Sequence, residues 1–103
     1  MKRVKRRYLA LRLETEGVPN EKEFMDAVWG AVSRLYGEVG ASLTSLALIR
    51  FDVESKVVVI RTSLASLDFV RASLASIVSV AGKEASVHIL GVSGTIKALL
   101  GQI

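Results

Sequence analysis

The sequence contains no cysteine, a single histidine and a single proline. The absence of cysteine excludes a disulfide framework and any thiolate metal site, and one histidine cannot build a histidine-based metal site alone. Every uncharged run is far shorter than the ~20 apolar residues that a membrane-spanning helix requires. We therefore expect a chain without a membrane span that works in the cytoplasm and binds no metal or other cofactor itself.

Positive charge is present but is confined to one end of the chain. Half of the 103 residues are hydrophobic, which is enough for one domain, residues 1–103, with one core. The 14 Lys and Arg residues outnumber the 10 Asp and Glu residues. Five of the basic residues lie in an N-terminal arm, residues 1–7: Lys2, Arg3, Lys5, Arg6 and Arg7. Because the rest of the chain is close to neutral, the net charge of +4 is local and favours a polyanionic partner.

Directly after the arm, residues 8–13 alternate strictly between two faces. The three leucines of this segment share one face, whereas Tyr8, Ala10 and Arg12 share the other. Strict alternation is typical of a half-buried β-strand. The basic arm is therefore expected to run without a break into the sheet.

Further strands and helices are indicated by capping and periodicity. Asn20, with Glu23 three residues on, predicts the start of an amphipathic helix that ends around Gly37 and Gly40. The remaining predicted elements are strands over 43–51, 56–62 and 85–92 and helices over 67–81 and 94–100. The order β-α-β-β-α-β-α favours a ferredoxin-like, RRM-like α+β fold. This fold is an antiparallel four-stranded sheet with two main helices on one face, here with the first strand central and a short C-terminal helix added.

The first predicted helix has more apolar surface than one sheet usually covers. One stripe runs from Phe24 to Leu35, and a second runs beside it from Met25 to Tyr36. The helix is therefore apolar over an unusually wide face.

The outer face of the sheet is also expected to be apolar. Arg50 and Arg61 are expected on the solvated, outer face of the sheet, because a lone arginine is rarely buried. Strand alternation then places five apolar residues on this same outer face: Leu46, Leu48, Val57, Val59 and Leu90. Such a patch usually marks a protein contact, and the alternative is that the last helix or the N-terminal arm covers it. Tyr8 is the only aromatic residue expected on the outer face of the first and third strands, so the base-stacking platform of a standard RNA-recognition motif is missing.

No arrangement of residues predicts catalysis by protein groups. His88 is expected on the outer face of the last strand without a carboxylate at local spacing. Asp52 and Glu54 fall in a hairpin loop, where acidic residues are typically solvated turn residues. The segment Gly91–Thr95 is expected to form a strand-to-helix turn. The alternative is that its free amides hold a phosphate, with Lys97 nearby.

Two short motifs carry a resemblance to a known family. The segments Lys5–Leu9 (KRRYL) and Val92–Lys97 (VSGTIK) resemble the two ends of the ribonuclease P protein component 2 family, and the helix exit Leu35–Ala41 also fits. These proteins are small archaeal subunits with a counterpart in the eukaryotic ribonuclease P and MRP particles. The resemblance implies a ferredoxin-like, non-catalytic subunit of an enzyme whose RNA removes the 5′ leader of precursor tRNA, with magnesium bound at the RNA. The implied partners are ribonuclease P RNA, precursor tRNA, the TIM-barrel protein component 3 and other ribonuclease P proteins, with a homodimer inside a heterotetramer as one arrangement.

The main expectation is an RNA-binding scaffold whose apolar outer face binds a protein partner. The residues expected to contact RNA are Lys2, Arg3, Lys5, Arg6, Arg7, Tyr8, Arg12 and Lys97. One alternative is a homo-oligomeric ferredoxin-like module that binds a small ligand and dimerises through the outer face. Another is a metal-independent enzyme, which the lack of a visible acid–base pair disfavours.

Overall fold

A computed structural model describes residues 5–42, 44–52 and 54–101, with only the backbone described for residues 39–42. Within these ranges the chain forms one antiparallel sheet and three α-helices. The elements are β1 (Arg6–Thr15), α1 (Glu21–Ser42), β2 (Ala47–Asp52), β3 (Val57–Ser63), a 3₁₀ turn (Leu64–Ser66), α2 (Leu67–Ala75), β4 (Ser79–Val80), β5 (Lys83–Ser93) and α3 (Ile96–Leu100). The strand order is β2-β3-β1-β5-β4, so the α+β class and the central position of β1 are confirmed. The prediction of four strands is wrong, because the described residues form five.

β1 is buried on both of its faces. Leu9 and Leu11 are fully buried beneath α1 and α2, where they pack in the main core with Phe24. Ala10, between them, points to the other face and is also fully buried, against Val59 and other apolar residues. The main core therefore lies on one side of β1. A smaller apolar cluster, Ala10, Val59 and Leu99, lies on the other side, and we call it the outer cluster.

α1 begins at the predicted capping box. The Glu23 amide donates to Asn20 Oδ1 at 2.8 Å, and the Asn20 amide donates to Glu23 Oε1 at 3.0 Å. The predicted helix exit near Gly37 is a kink, because Gly37 has φ 75° and ψ 172°, and the helix then continues to Ser42. Leu35, just before the kink, is 47% exposed.

α2 ends at Ala75, earlier than predicted. Ser79 and Val80, which were predicted to be helical, form β4 instead. Ser73 Oγ donates to the Phe69 carbonyl at 2.7 Å, and Ser76 Oγ donates to the Ser73 carbonyl at 2.7 Å. Such bonds compete with the helical pattern and favour a helix end at this point. β4 then pairs with β5 through a two-residue turn in which Ala81 and Gly82 both have positive φ, as tight hairpins require.

A bulge in β2 reverses the predicted faces of two leucines. The β2–β3 register shifts between Leu48 and Arg50, so that Ile49 and Arg50 together lie opposite Val59. Because a one-residue shift moves side chains to the opposite face, Leu46 and Leu48 pack against the main core and Ile49 packs on the outer face. The prediction that Leu46 and Leu48 lie on the outer face is therefore wrong.

A second bulge keeps Leu90 on the outer face. The β1–β5 register shifts between Ala10 and Leu11, which leaves Leu90 as the extra residue between Ile89 and Gly91. Leu90 packs in the outer cluster, as the sequence predicted, whereas Ile89 packs against the main core.

α3 covers part of the outer face. Leu99 is fully buried against Ala10 and Val59, and Val59 is itself only 1% exposed. The Thr95 side chain caps this short helix, since its Oγ1 accepts from the Ala98 amide at 3.2 Å. The sequence left open whether the apolar outer face binds a protein or is covered by another part of the chain. For Val59, the structure shows that the last helix covers it.

We predict that Leu99→Ala destabilises the domain much more than Leu100→Ala. Leu99 is fully buried, so its truncation leaves a cavity and is expected to cost about 2–5 kcal/mol in the free energy of unfolding. Leu100 is 43% exposed, and its truncation is expected to cost about 0.5 kcal/mol. Urea denaturation of both variants measures the difference. Equal costs would contradict the packing of α3 on the sheet.

Candidate nucleic-acid interface

The basic residues at the start of the chain are fixed to one end of the sheet. β1 begins at Arg6, two residues before the predicted alternating segment, and Arg6 lies opposite Ser63 of β3. The Lys5 carbonyl accepts a hydrogen bond from the Leu64 amide at 2.7 Å, which extends the pairing by one residue. We call Lys5, Arg6 and Arg7 the basic edge. The other two basic residues of the arm, at positions 2 and 3, lie outside the described residues.

The structure brings the two ends of the chain together at the basic edge. Tyr8 lies opposite Ser93 across the β1–β5 pairing. The Arg7 guanidinium donates from Nη1 to the Arg6 carbonyl at 2.9 Å and lies close to Gly94. A Cβ atom on Gly94 would be 3.4 Å from Arg7 Nη1, an ordinary van der Waals distance, so the guanidinium packs directly beside the backbone of Gly94. The two segments that resemble one family in sequence are therefore neighbours in space.

Tyr8 is held within the outer cluster. It is half-buried and packs with the outer cluster residues Ala10, Val59 and Leu99, and it lies opposite Arg61. The Arg61 Nε is buried and has no hydrogen-bond partner among the residues that the structure describes. Since α3 occupies part of the surface beside Tyr8, its ring is only partly open to a nucleotide base.

Polar groups of the turn between β5 and α3 form hydrogen bonds within the turn and with α3. The Thr95 amide donates to Ser93 Oγ at 3.4 Å, and the Leu99 amide donates to the Thr95 carbonyl at 3.1 Å. α3 has only five residues, so the aligned peptide dipoles that favour an anion at a helix start are few. The geometry is that of the predicted strand-to-helix turn. Lys97 is exposed on α3.

A groove remains open on the half of the outer face that α3 does not cover. It has a volume of about 520 Å³ and lies between α3 and the β2–β3 turn. We call it the outer groove, and its main lining residues are Arg12, Arg50, Asp52, Val57, Leu90 and Leu100. It therefore combines two arginines with an apolar floor.

Asp52 has a structural role at the end of this groove. Its Oδ1 accepts hydrogen bonds from the Glu54 amide at 3.0 Å and the Ser55 amide at 3.3 Å. The hydrogen bonds from Ser55 are the main reason that the pKa of the Asp52 carboxyl lies below its ordinary value, and Arg50, 3.8 Å away, contributes in the same direction. Asp52 was expected in the hairpin loop but is the last residue of β2, paired with Val57, and its side chain caps the turn that follows.

His88 has polar neighbours that local sequence spacing does not reveal. Its Nε2 lies 3.5 Å from Glu14 Oε2, across the β1–β5 pairing, and 3.3 Å from Ser86 Oγ. All three side chains are exposed or half-buried at the surface. In residues 5–42, 44–52 and 54–101 no three His, Asp or Glu side chains come close enough together to hold a metal ion. The helices of the same ranges include none that is long and apolar enough to cross a membrane.

Part of the exposed apolar surface lies on the helical layer. Tyr36 of α1 and Phe69 of α2 stack with ring centroids 4.2 Å apart and planes 13° from parallel. Phe69 is 40% exposed and the adjacent Leu35 of α1 is 47% exposed. We call Leu35, Tyr36 and Phe69 the helical patch. This patch was not predicted from the sequence, although the unusually wide apolar face of α1 indicated that some apolar surface would remain uncovered.

Comparison with known proteins identifies the family. The sequence profile of the Rpp14/Pop5 family matches residues 7–103. The chain belongs to this family. Similar proteins include ribonuclease P protein component 2 of Pyrococcus furiosus, which is 36% identical over 94% of this chain and 81% of its own length. The protein of the same name in Methanosarcina barkeri is 39% identical over 92% of this chain and 69% of its own length.

A solved structure supports the same fold. A chain in the cryo-EM structure of yeast ribonuclease MRP superposes with a TM-score of 0.74 over 92% of this chain and 78% of that chain. Its sequence identity is 18%, so this likeness concerns the fold alone. The family resemblance noted from the two terminal motifs of the sequence is thus confirmed by comparisons that cover almost the whole of this chain.

Proposed function

We propose that this protein is a non-catalytic, RNA-binding subunit of ribonuclease P that supports the RNA in removing the 5′ leader of precursor tRNA. The observation that carries the proposal is the identity of 36% to a ribonuclease P protein component 2 along 94% of the chain. The basic edge adds physical support, because its positive charge is local and attached to a rigid sheet. The proposal places the protein in the cytoplasm, with magnesium bound at the RNA.

The basic edge is the proposed phosphate contact. Lys5 and Arg6 are exposed and Arg7 is half-buried, and hydrogen bonds fix the backbone that carries them. Phosphate contacts of this kind position a protein on RNA and contribute affinity without reading sequence. Lys2 and Arg3 extend the same basic sequence and are included in the proposed contact, as are Tyr8 and Lys97.

The protein contact is proposed on the helical patch instead of the outer sheet face. Leu46 and Leu48 pack in the main core and Val59 lies beneath α3, so three of the five predicted contact residues are not available on the outer face. Leu35 and Phe69 of the helical patch are substantially exposed. Apolar exposure of this kind favours a protein partner. The proposed partners are other ribonuclease P proteins, with the TIM-barrel component 3 first among them.

We predict that removing the basic edge lowers the salt dependence of binding to ribonuclease P RNA. Each lost phosphate contact is expected to reduce the slope of log K against log salt by about 0.7–0.9, so Lys5→Ala, Arg6→Ala and Arg7→Ala together remove about 2–3. The slope is measured by filter binding at several salt concentrations. Lys22→Ala, Arg34→Ala and Arg71→Ala form the control, because they remove the same charge from exposed helix positions.

The two triple variants separate local contact from overall charge. An unchanged slope in the basic-edge variant would exclude the edge as the RNA contact. An equal loss in the control would show that only the net charge of the chain matters.

A second prediction concerns the chemistry. His88→Ala should leave precursor-tRNA processing by the reconstituted particle within a few-fold of wild type at saturating magnesium, because no protein group transfers a proton. Loss of a true general base typically lowers the rate by ~10²–10⁴-fold. The double variant Asp52→Ala with Glu54→Ala is expected to behave in the same way. Single-turnover cleavage of a labelled precursor tRNA measures both.

The protein without RNA provides the opposite test. Protein treated with nuclease, purified under denaturing conditions and refolded should cleave no precursor tRNA. Robust magnesium-dependent cleavage by this preparation would assign the active site to the protein and refute the non-catalytic role.

A further inference from the structure

The outer groove has the shape of a site for one small group. Its volume of about 520 Å³ lies within the ~300–1,000 Å³ typical of small-molecule sites. Leu100 of α3 forms one wall and the β2–β3 turn, with Ser55, forms the other. A protein partner usually buries ~800 Å² of a broad surface on each side. A concave site between two raised walls fits a single inserted group better than a broad protein surface.

The charge of the groove favours an anion. Arg12 is exposed and forms no ion pair with any residue in the described ranges, whereas Arg50 lies 3.8 Å from the carboxylate of Asp52. The groove therefore holds two arginines and one carboxylate. Among the described residues, the cation of Arg12 has no counter-charge in an ion pair.

The floor of the groove favours a flat apolar group beside that anion. Val57 lies directly opposite Arg12 in the β1–β3 pairing, and Leu90 projects from the bulge in β5. Unpaired nucleotides combine a phosphate with a planar base, and proteins bind such bases against apolar side chains and arginine planes. No aromatic residue is among the described residues that line the groove, so aliphatic side chains and guanidinium planes would supply the contact.

The position of Arg12 connects the groove to the basic edge. Arg12 and Arg6 lie on the same face of β1, six residues apart, which corresponds to roughly 20 Å at ~3.3 Å per residue. We propose that the outer groove binds one unpaired nucleotide of the ribonuclease P RNA, with its phosphate on Arg12 and its base against Val57 and Leu90. This inference rests on the proposed function. An RNA segment bound at the basic edge and passing beside α3 reaches the groove.

Two variants test the phosphate contact and the base contact separately. Arg12→Ala removes the charge, and Val57→Trp fills the groove with a large side chain while every charge remains. Arg71→Ala, an exposed arginine on α2 in the opposite layer, is the control. The probe is a ribonuclease P RNA transcript, and the readouts are binding at several salt concentrations and chemical probing of the bound RNA. Circular dichroism verifies that each variant is folded.

The proposal predicts a different result for each variant. Arg12→Ala should reduce the salt slope by about 0.7, the value for one contact with single-stranded nucleic acid. Val57→Trp should weaken binding roughly tenfold at every salt concentration, as expected for one lost base contact, without changing the slope. Both should abolish the protection of the same unpaired nucleotide, and Arg71→Ala should change neither readout.

The failures of the two proposals are distinguishable. If the basic-edge variant weakens RNA binding while folded Arg12→Ala and Val57→Trp bind as wild type does, the groove proposal is refuted and the proposed function stands. If wild-type protein does not bind the transcript, the proposed function itself fails. Protection of a nucleotide only in precursor tRNA, or loss of a protein partner without a change in RNA binding, would also overturn the groove proposal.

Discussion

The burial of β1 on both faces is the constraint on which the rest of the structure depends. Leu9 and Leu11 anchor α1 and α2 on one face, while Ala10 contacts Leu99 of α3 on the other. The small side chain of Ala10 lets α3 approach the sheet closely. Since β1 pairs with both β3 and β5, it cannot move without disrupting the sheet. The basic edge, attached to the first residues of this strand, therefore has a fixed position relative to α3 and the outer groove.

The sequence predicted those parts of the fold that depend on local signals. Alternation in residues 8–13 located β1, and the Asn20–Glu23 capping box located the start of α1. The errors occurred where a bulge or a serine side chain altered the pattern. The bulge at Ile49 reversed the faces of Leu46 and Leu48, and no residue type marks a bulge reliably. The early end of α2 coincides with hydrogen bonds from the side-chain hydroxyls of Ser73 and Ser76 to backbone carbonyls, which periodicity does not reveal.

The candidate site was predictable in composition but not in arrangement. The charge cluster at the N-terminus and the motif around Gly94 were both evident in the sequence, whereas their proximity follows only from the pairing of Tyr8 with Ser93. The outer groove was not predictable, because it requires Arg12 and Arg50 to lie on one face and α3 to cover only part of it. The helical patch was missed because it depends on which part of the wide apolar face of α1 the sheet and α2 leave uncovered, and Leu35 remains 47% exposed there.

The proposed role of this chain, a protein subunit bound to ribonuclease P RNA, can be tested in the cell. The test is affinity purification of the tagged full chain from cells in which it is native, with sequencing of the RNA and identification of the proteins that remain bound. We expect one dominant RNA, the ribonuclease P RNA, together with other ribonuclease P proteins, including a TIM-barrel protein. Recovery of the chain alone or as a homo-oligomer, without RNA, would contradict this role and would favour a self-associating ligand-binding module.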